Sequence, residues 1–451
     1  MKHLIFIVLL VVSFHLSAQH IQKEAVLEDL NFLVDNIEKY NPALPVYHPD
    51  FNSLSTQLIQ KIERDSISIF DYFTAVSKIC ALAHEGHFGL GDWKDIVHKG
   101  LIDNERSYLP IEVKLFSGKL YVSADYSNEQ LLNKGDEIVA INGIKIASIL
   151  NQLLEVTPSD GDIKTYAYRK IEDGFNWLYM FHIEEVDYFE IELIDQNSSK
   201  KTVKVDALVR SDQVANYKKY YSKSNQQNSN ESMGFYDLSY ENDYAKLTLP
   251  SFDFRRVNKY EVKSKKLYKT LFADLQKKGV KHLIIDLRDN TGGRNEFADD
   301  IVPFILKSSN GDSFLKKTIS WEGKEKVYAM PKASKLAFVG KLYILVNGKT
   351  FSAGSSLARY LKEYGNATVI GTETGTRYDG FAAGSSQHVN LPNSQVEIRI
   401  PRYHILYPKS EKQKNTNRGL IPDYEINYSF KDYAEGVDVQ LNKAISLIKK
   451  E

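Results

Sequence analysis

The sequence has little of what marks several classes of protein. It contains one cysteine, Cys80, among 451 residues. A single cysteine forms neither an intramolecular disulfide nor a cysteine-based zinc site, so we expect packing to supply the stability. The 58 basic residues balance 58 acidic ones. Nucleic-acid binders and membrane-surface proteins usually carry a basic excess, and its absence therefore argues against both kinds of partner.

Long apolar runs are also scarce beyond the first residues. The run at 4–16 has about 13 residues, short of the ~20 that a membrane-spanning helix needs. Lys2 precedes it and the small residues Ser17 and Ala18 follow it, a pattern typical of a secretory signal cleaved after Ala18. We therefore predict that residues 1–18 are a signal peptide. The mature protein is then exported, to the periplasm or outside the cell, without a permanent membrane anchor.

The spacing of apolar residues changes along the chain and predicts three domains. A period of three to four residues predicts an N-terminal helical domain at 19–105. Alternating apolar and polar residues then predict a β-rich domain at 106–210, with a helical insertion at 150–185. A polar segment at 222–232 reads as a linker or loop. Strands alternating with helices predict an α/β domain with a mainly parallel sheet at 211–451.

Two segments of the α/β region place reactive groups between a strand and a helix. In RDNTGG, Gly292 and Gly293 can turn backbone N–H groups toward a phosphate or an oxyanion. A plain tight turn explains the same glycines, and no GK[ST] follows, which excludes a P-loop. In NGKTFSAGSSLARYL, Ser352 begins an amphipathic helix, where its hydroxyl is placed to act as a nucleophile. Serine is also a preferred helix N-cap, so this segment alone leaves both roles open.

A third segment, ALAHEGHFGL, ends the helical domain with two histidines, His84 and His87. A zinc site would favour the HExxH spacing, and Gly86 interrupts the helix, so we predict no metal and no cofactor. A histidine in such a turn can act as a general base across a domain interface. A histidine packed in the core or lying on the surface is the commoner case.

Five segments, taken in order, resemble peptidase family S41, which includes the C-terminal processing and tricorn-like serine peptidases. They are similar to the PDZ module of the family, its LRxNxGG turn, its TxSAxE nucleophile helix, its IGxxTxG segment and its closing GxxPD strand. In this chain they read LLNKGDEIVAINGIKI, IIDLRDNTGG, KTFSAGSSLARYL, VIGTETGT and RGLIPDYEI. The resemblance implies a multidomain α/β protein: an N-terminal helical domain, a PDZ-like β-rich domain and a C-terminal crotonase- or ClpP-like catalytic domain.

The resemblance also implies roles for single residues near the start of the nucleophile helix. It makes Ser352 the nucleophile and the backbone N–H of Ala353 one donor of an oxyanion hole. The second donor comes from Gly292 or Gly293. Peptide hydrolysis needs both parts, because the serine must be activated and the charge that develops on the carbonyl oxygen must be stabilised.

The general base depends on the branch of the family. Processing peptidases use a lysine where this chain has Arg377, and an arginine does not give up its proton. The tricorn-like branch places a histidine at the end of the helical domain, which implies His87. Lys349 is a weaker alternative because it precedes the turn. No carboxylate stands where that branch orients its histidine; Thr416 and Asn417 occupy the place and, with Arg377, are the candidate supporting residues.

From this resemblance we expect an exported serine endopeptidase that acts on extended or unfolded polypeptides. The PDZ-like domain would bind peptide as an added strand and could recognise a C terminus. Two alternatives stay open. One is a catalytically inactive relative that binds peptides or apolar ligands, which Arg377 and the missing acidic residue would permit. The other is a peptide-binding scaffold that works through the PDZ-like domain alone.

Overall fold

The computed structural model describes four stretches of the chain, namely residues 20–90, 106–221, 234–307 and 314–450. The predicted signal peptide and the polar segment at 222–232 lie outside these residues. Within the described stretches, no helix combines the length and the apolar character needed to cross a membrane.

The N-terminal region is helical, as predicted. Its helices α1 to α4 cover Lys23–Tyr40, Leu44–Tyr47, Phe51–Gln60 and Ile69–Leu82. Three short strands, β1 to β3, cover His20–Gln22, Ser66–Ser68 and Gly89–Leu90. On α1 the apolar residues Val26, Leu30, Leu33 and Ile37 are fully buried. Their spacing of three and four places them on one helix face, which packs into the core of this region.

The middle region is built on an antiparallel sheet. Its strands β4 to β11 cover Ser107–Tyr108, Ile111–Phe116, Lys119–Asp125, Glu137–Ile141, Ile144–Lys145, Tyr188–Ile194, Lys200–Asp206 and Leu208–Val209. Helices α5 to α7 cover Ile146–Glu155, Lys164–His182 and Arg210–Tyr221. The main strand order is β10-β9-β7-β6-β5, with β8 paired to β7. Helices α5 and α6 lie between strands β8 and β9, where the sequence predicts a helical insertion at 150–185.

The C-terminal region combines two sheets with helices. Strands β12 to β21 cover Asp237–Tyr240, Ala245–Thr248, His282–Asp286, Phe314–Ser320, Glu325–Ala329, Lys341–Val346, Thr368–Gly371, Gly380–Asn390, Glu397–Leu406 and Tyr424–Glu425. Helices α8 to α14 cover Phe254–Lys259, Ser264–Lys277, Glu296–Asp299, Val302–Ile305, Ala353–Gly365, Phe430–Glu435 and Val439–Ile448. The first sheet has the order β12-β13-β14-β17-β18-β21 and is parallel from β13 onward. This confirms the predicted mainly parallel sheet. The second sheet is antiparallel, with the order β16-β15-β20-β19.

The parallel sheet positions the candidate site. Strands β14 and β17 are buried on both faces, because one set of their side chains joins the large core and the other packs against α14. The two strands are adjacent and parallel, so the segments that follow them emerge at the same sheet edge. These segments are RDNTGG and the loop that carries Ser352.

The helical region is attached to the second sheet. Strand β3 pairs with β20. Asp29 on α1 is fully buried and accepts hydrogen bonds from Tyr72 Oη at 2.6 Å and from the backbone N–H groups of Asn393 and Ser394 at 2.7 and 3.0 Å. The contacts of Asp29 with Asn393 and Ser394 join segments more than 300 residues apart. They fix the position of the histidine segment that follows α4.

We predict that Asp29→Ala destabilises the protein, because it removes the acceptor of the buried Tyr72 hydroxyl, of the buried N–H of Ser394 and of the partly buried N–H of Asn393. At about 1–3 kcal/mol for each unsatisfied group, the free energy of unfolding should fall by about 3 kcal/mol or more. Denaturant unfolding measures this. Asp35→Ala, on the exposed side of the same helix, is the control and should change the value by less than about 0.5 kcal/mol. Equal losses of stability from Asp29→Ala and Asp35→Ala would contradict the structural role of Asp29.

Candidate active site

Ser352 occupies a strained turn between strand β17 and helix α12. Its backbone has φ 53° and ψ −124°, a conformation that costs a non-glycine residue of order 1–3 kcal/mol. Its N–H donates to Thr376 Oγ1 at 2.7 Å. Its side chain makes no capping hydrogen bond to α12, so the N-cap role does not account for this serine. Strained strand-to-helix turns of this kind present nucleophilic serines in α/β-hydrolases.

Asn290 holds the serine loop against the RDNTGG turn. Its carbonyl accepts from the N–H of Phe351 at 3.0 Å, and its Oδ1 accepts from the N–H of Gly292 at 2.9 Å. Its Nδ2 donates to the carbonyl of Leu249 at 2.8 Å. The side chain is fully buried. One asparagine therefore fixes both loops to each other and to the sheet.

Gly292 of the turn lies against the start of α12, and Gly293 lies against the backbone of Phe252. Gly292 has φ 88°, and a Cβ there would lie 2.8 Å from both Ala353 N and Phe351 O, so this position requires glycine. The N–H of Gly292 is already bound by Asn290 and is unsuited to the predicted donor role. The N–H groups of Gly293 and Ala353 donate none of the hydrogen bonds found among the described residues. These two remain as candidate oxyanion donors.

His87 lies beside the serine loop but does not bond to Ser352. Its ring packs between those of Phe351 and Phe381, at centroid distances of 4.4 and 5.4 Å. Both ring nitrogens are shielded from solvent and have no hydrogen-bond partner. Burial, with a smaller effect from the charge of Lys170, lowers the pKa of His87 to about 3. In this arrangement the imidazole is neutral and is not in place to take a proton from the serine.

The predicted supporting residues also lie apart from that imidazole. The carbonyl of Asn417 accepts from the N–H of Asp162 at 2.9 Å, and Thr416 is exposed. Because the ring nitrogens are unbonded, neither residue orients the histidine here. Lys349 forms an ion pair with Asp173 at 2.8 Å. That pairing agrees with the expectation that this lysine points away from the serine.

Arg377 is the centre of a buried charge cluster. Its Nη1 donates to Glu85 Oε1 at 2.8 Å, in an ion pair with both side chains fully buried. Its Nη2 donates to the carbonyl of His84 at 2.6 Å, and its backbone N–H donates to Asp160 Oδ2 at 3.2 Å. Asp160 Oδ1 accepts from the N–H of Gly86. The guanidinium therefore holds the histidine segment, rather than the histidine ring, against the α/β region.

The cluster contains two carboxylates and one guanidinium. Burial raises the pKa of Glu85 and of Asp160, and the charge of Arg377 opposes this shift in both. Sequence reasoning singled out neither acid, although each directly precedes a glycine in a turn-forming segment. A buried cation such as Arg377 needs a counterion, so the burial of Arg377 is the observation that points to these two acids.

Comparison with known proteins agrees with this architecture. Residues 243–426 match the model of peptidase family S41. This segment is therefore similar to peptidase family S41. The matched segment begins just before β13 and ends just after β21, so it holds the parallel sheet, the RDNTGG turn, Ser352 and Arg377.

Curated relatives of this chain are described as probable CtpA-like serine proteases. The protein from Staphylococcus epidermidis is 25% identical over 223 residues, covering 43% of this chain and 45% of that protein. The protein from Staphylococcus saprophyticus subsp. saprophyticus is 26% identical over 170 residues, covering 38% and 32%. The chain thus spans about half the length or less of the curated relatives it matches.

A solved structure resembles this chain over nearly its whole length. Mature CPAF complexed with lactacystin has a TM-score of 0.63 and 12% identity, and the match covers 95% of this chain and 99% of that one. At this identity the likeness concerns the fold. It supports a multidomain α/β fold with helices and several sheets, similar to that of S41 proteases.

We predict that Arg377→Met destabilises the protein by about 3–5 kcal/mol, because it leaves buried carboxylates without their cation. Denaturant unfolding measures the loss. Arg255→Met, at an exposed arginine, is the control and should stay within about 0.5 kcal/mol of the wild type. Adding Glu85→Gln should recover part of the loss. An Arg377→Met protein as stable as the wild type would show that the Arg377 cluster does not hold the histidine segment.

A second prediction concerns pH. The pKa of His87 is about 3 in the folded protein and about 6.5 in an unfolded chain, so the unfolded state binds more protons between these values. Stability therefore falls as the pH drops below 6.5. His87→Phe should reduce that fall by up to about 1.4 kcal/mol per pH unit, as measured by unfolding at several pH values. A slope unaffected by His87→Phe would contradict the prediction.

Proposed function

We propose that this protein is a serine-type peptidase that cleaves extended or unfolded polypeptides by acyl transfer through Ser352. The observation that carries the proposal is the strained backbone of Ser352, whose side chain has no capping role. The adjacent N–H groups of Ala353 and Gly293 add to it, since both are free of hydrogen bonds within the described chain. Strain that no structural role explains is a feature of functional sites.

In the proposed reaction, Ser352 Oγ attacks the carbonyl carbon of the scissile bond and passes its proton to His87. The N–H groups of Ala353 and Gly293 bind the oxyanion; losing one such donor typically costs about 2.7–4 kcal/mol of transition-state stabilisation. The tetrahedral intermediate then expels the amine, which takes the proton from His87. Water, activated by the same histidine, hydrolyses the acyl-enzyme.

This mechanism requires His87 to leave its position between Phe351 and Phe381. Hydrogen bonds used in catalysis often form only when substrate is bound, so the unliganded arrangement is compatible with the role. Moving the ring toward Ser352 exposes it to solvent and substrate, which weakens the desolvation that lowers its pKa. The pKa of His87 then rises toward the range in which an imidazole accepts a proton near neutral pH.

The other regions fit a peptidase that acts on extended substrates. We assign residues 106–210 as a PDZ-like domain and residues 211–451 as a crotonase- or ClpP-like catalytic domain. The antiparallel sheet of the former ends in strands β5 and β10, and an edge strand can pair with an extended peptide. Recognition of a substrate C terminus would follow from the same mode of binding. With residues 1–18 as a signal peptide, the site of action is the periplasm or the cell exterior.

A second candidate is a catalytically inactive relative that binds peptides or apolar ligands. The observation that favours it is the state of His87, whose ring nitrogens are shielded and have no acidic or amide partner. Activity of the purified protein separates the two candidates.

We expect the wild type to hydrolyse an unfolded protein and to react with a serine-directed fluorophosphonate. Ser352→Ala should abolish both, because no other residue supplies the nucleophile. His87→Ala should reduce labelling by about 10²–10⁴-fold, the usual contribution of a general base. The exposed-histidine variant His388→Ala serves as the matched control and should label like the wild type.

The same experiment tests the choice of base. Folded Arg377→Met protein should keep part of the labelling, since its guanidinium does not transfer a proton. Loss of labelling in folded Arg377→Met with normal labelling in His87→Ala would refute the assignment. Equal hydrolysis by the wild type and Ser352→Ala would refute the peptidase mechanism itself, and peptide binding without hydrolysis by the wild type would establish the second candidate.

A further inference from the structure

A pocket of about 380 Å³ lies between helices α4 and α6 and strand β3. Its volume falls in the range of about 300–1,000 Å³ that is usual for small-molecule sites. Much of its wall is aromatic and apolar, formed by Phe73, Phe88, Trp177, Leu178 and Phe181. None of the proposed catalytic residues lines it.

Two cationic side chains, Lys170 and exposed Arg399, also line the pocket. Among the described residues that line it, none is an aspartate or a glutamate. Lys170 Nζ donates one hydrogen bond, to the carbonyl of Pro158 at 3.2 Å. The charge of the Asp160 carboxylate favours the protonated form of Lys170. This carboxylate already accepts hydrogen bonds from the backbone N–H groups of Gly86 and Arg377.

The ammonium of Lys170 is poorly compensated in this setting. Burial lowers the pKa of Lys170 to about 8, because the desolvated cation lacks a dedicated counterion. His182, on the same wall, has its pKa lowered to about 4 by burial and is neutral; its Nδ1 pairs with Thr74 Oγ1 at 2.9 Å. The pocket therefore offers positive charge beside an apolar wall, and the described residues that line it include no carboxylate to oppose an anion.

We propose that this pocket binds a carboxylate carried on an apolar stem, with the carboxylate at Lys170 and the stem against the aromatic wall. Two sources share this chemistry: the last residue of a polypeptide with an apolar side chain, and a free aliphatic acid. The pocket also borders the candidate active site. Tyr166 lines it and stacks on Phe351 at a centroid distance of 4.1 Å, and Phe351 directly precedes Ser352.

Calorimetric titration with decanoate and with decan-1-ol tests the proposal and does not depend on catalysis. Decanoate should bind, and decan-1-ol should bind at least about tenfold more weakly, since a hydrogen bond to a charged group is worth about 1.5–3 kcal/mol. Lys170→Met keeps most of the side-chain volume and should weaken decanoate binding about tenfold without affecting decan-1-ol. Lys164→Met, an exposed position on the same helix, is the matched control and should bind like the wild type.

Further variants locate the ligand. Trp177 lines the pocket, so decanoate should change tryptophan fluorescence in the wild type, and Trp177→Phe should lose that change. Ser77→Met places a larger side chain in the pocket and should abolish binding. Failure of decanoate and of the peptide acid described below to bind would overturn the proposal. So would equal affinity for decanoate and decan-1-ol, or unchanged binding in Lys170→Met or in Ser77→Met.

The source of the carboxylate is decided on Ser352→Ala protein, in which cleavage does not complicate binding. A short peptide ending in a free leucine is compared with the same peptide amidated at its C terminus. Tighter binding of the acid than of the amide assigns a polypeptide terminus as a ligand, whereas binding of decanoate alone assigns a free acid. Both results support the carboxylate site and are independent of whether the wild type is a peptidase.

Discussion

The buried guanidinium of Arg377 is the interaction on which the candidate site depends. It bonds to Glu85 and to the carbonyl of His84 from the helical region. The backbone N–H of the same arginine bonds to Asp160 from the middle region, so Arg377 joins three parts of the chain. Arg377 itself belongs to the α/β region, close to Thr376, which binds the backbone of Ser352. A buried charge tolerates the loss of its partner poorly, so this cluster favours one relative position of the three regions.

The serine loop likewise depends on a single residue, Asn290. Asn290 forms hydrogen bonds with the serine loop, with the glycine turn and with Leu249, which directly follows strand β13. These bonds restrain the unfavourable backbone conformation of Ser352. The strain is local, and the parallel sheet beneath it is fully packed. The packed sheet and the strained turn together keep the hydroxyl of Ser352 and the N–H groups of Ala353 and Gly293 near the start of α12. The mobile part of the proposed mechanism is therefore His87, whose ring is held by stacking alone.

Much of the fold could be predicted from the sequence, because the apolar spacing reports which face of each element is buried. The change of period near Leu109 and the alternation of strands and helices after residue 234 were confirmed. The resemblance to family S41 implied that the glycine turn and Ser352 lie near each other, and the structure shows that they follow adjacent parallel strands. Packing of His87 between two phenylalanines could not be predicted, because it depends on contacts between residues nearly 300 positions apart. Glu85 and Asp160 were missed for the same reason: their role appears only once Arg377 is known to be buried.

A crystal structure of the fluorophosphonate adduct tests the central claim most directly, namely that the regions joined by Arg377 bring His87 to Ser352 during the reaction. The account predicts a covalent bond at Ser352 Oγ and a ring nitrogen of His87 within about 2.6–3.2 Å of that oxygen. The N–H groups of Ala353 and Gly293 should lie about 2.7–3.1 Å from the phosphonyl oxygen. An adduct in which His87 stays between Phe351 and Phe381, with its nitrogens unbonded, would contradict the account.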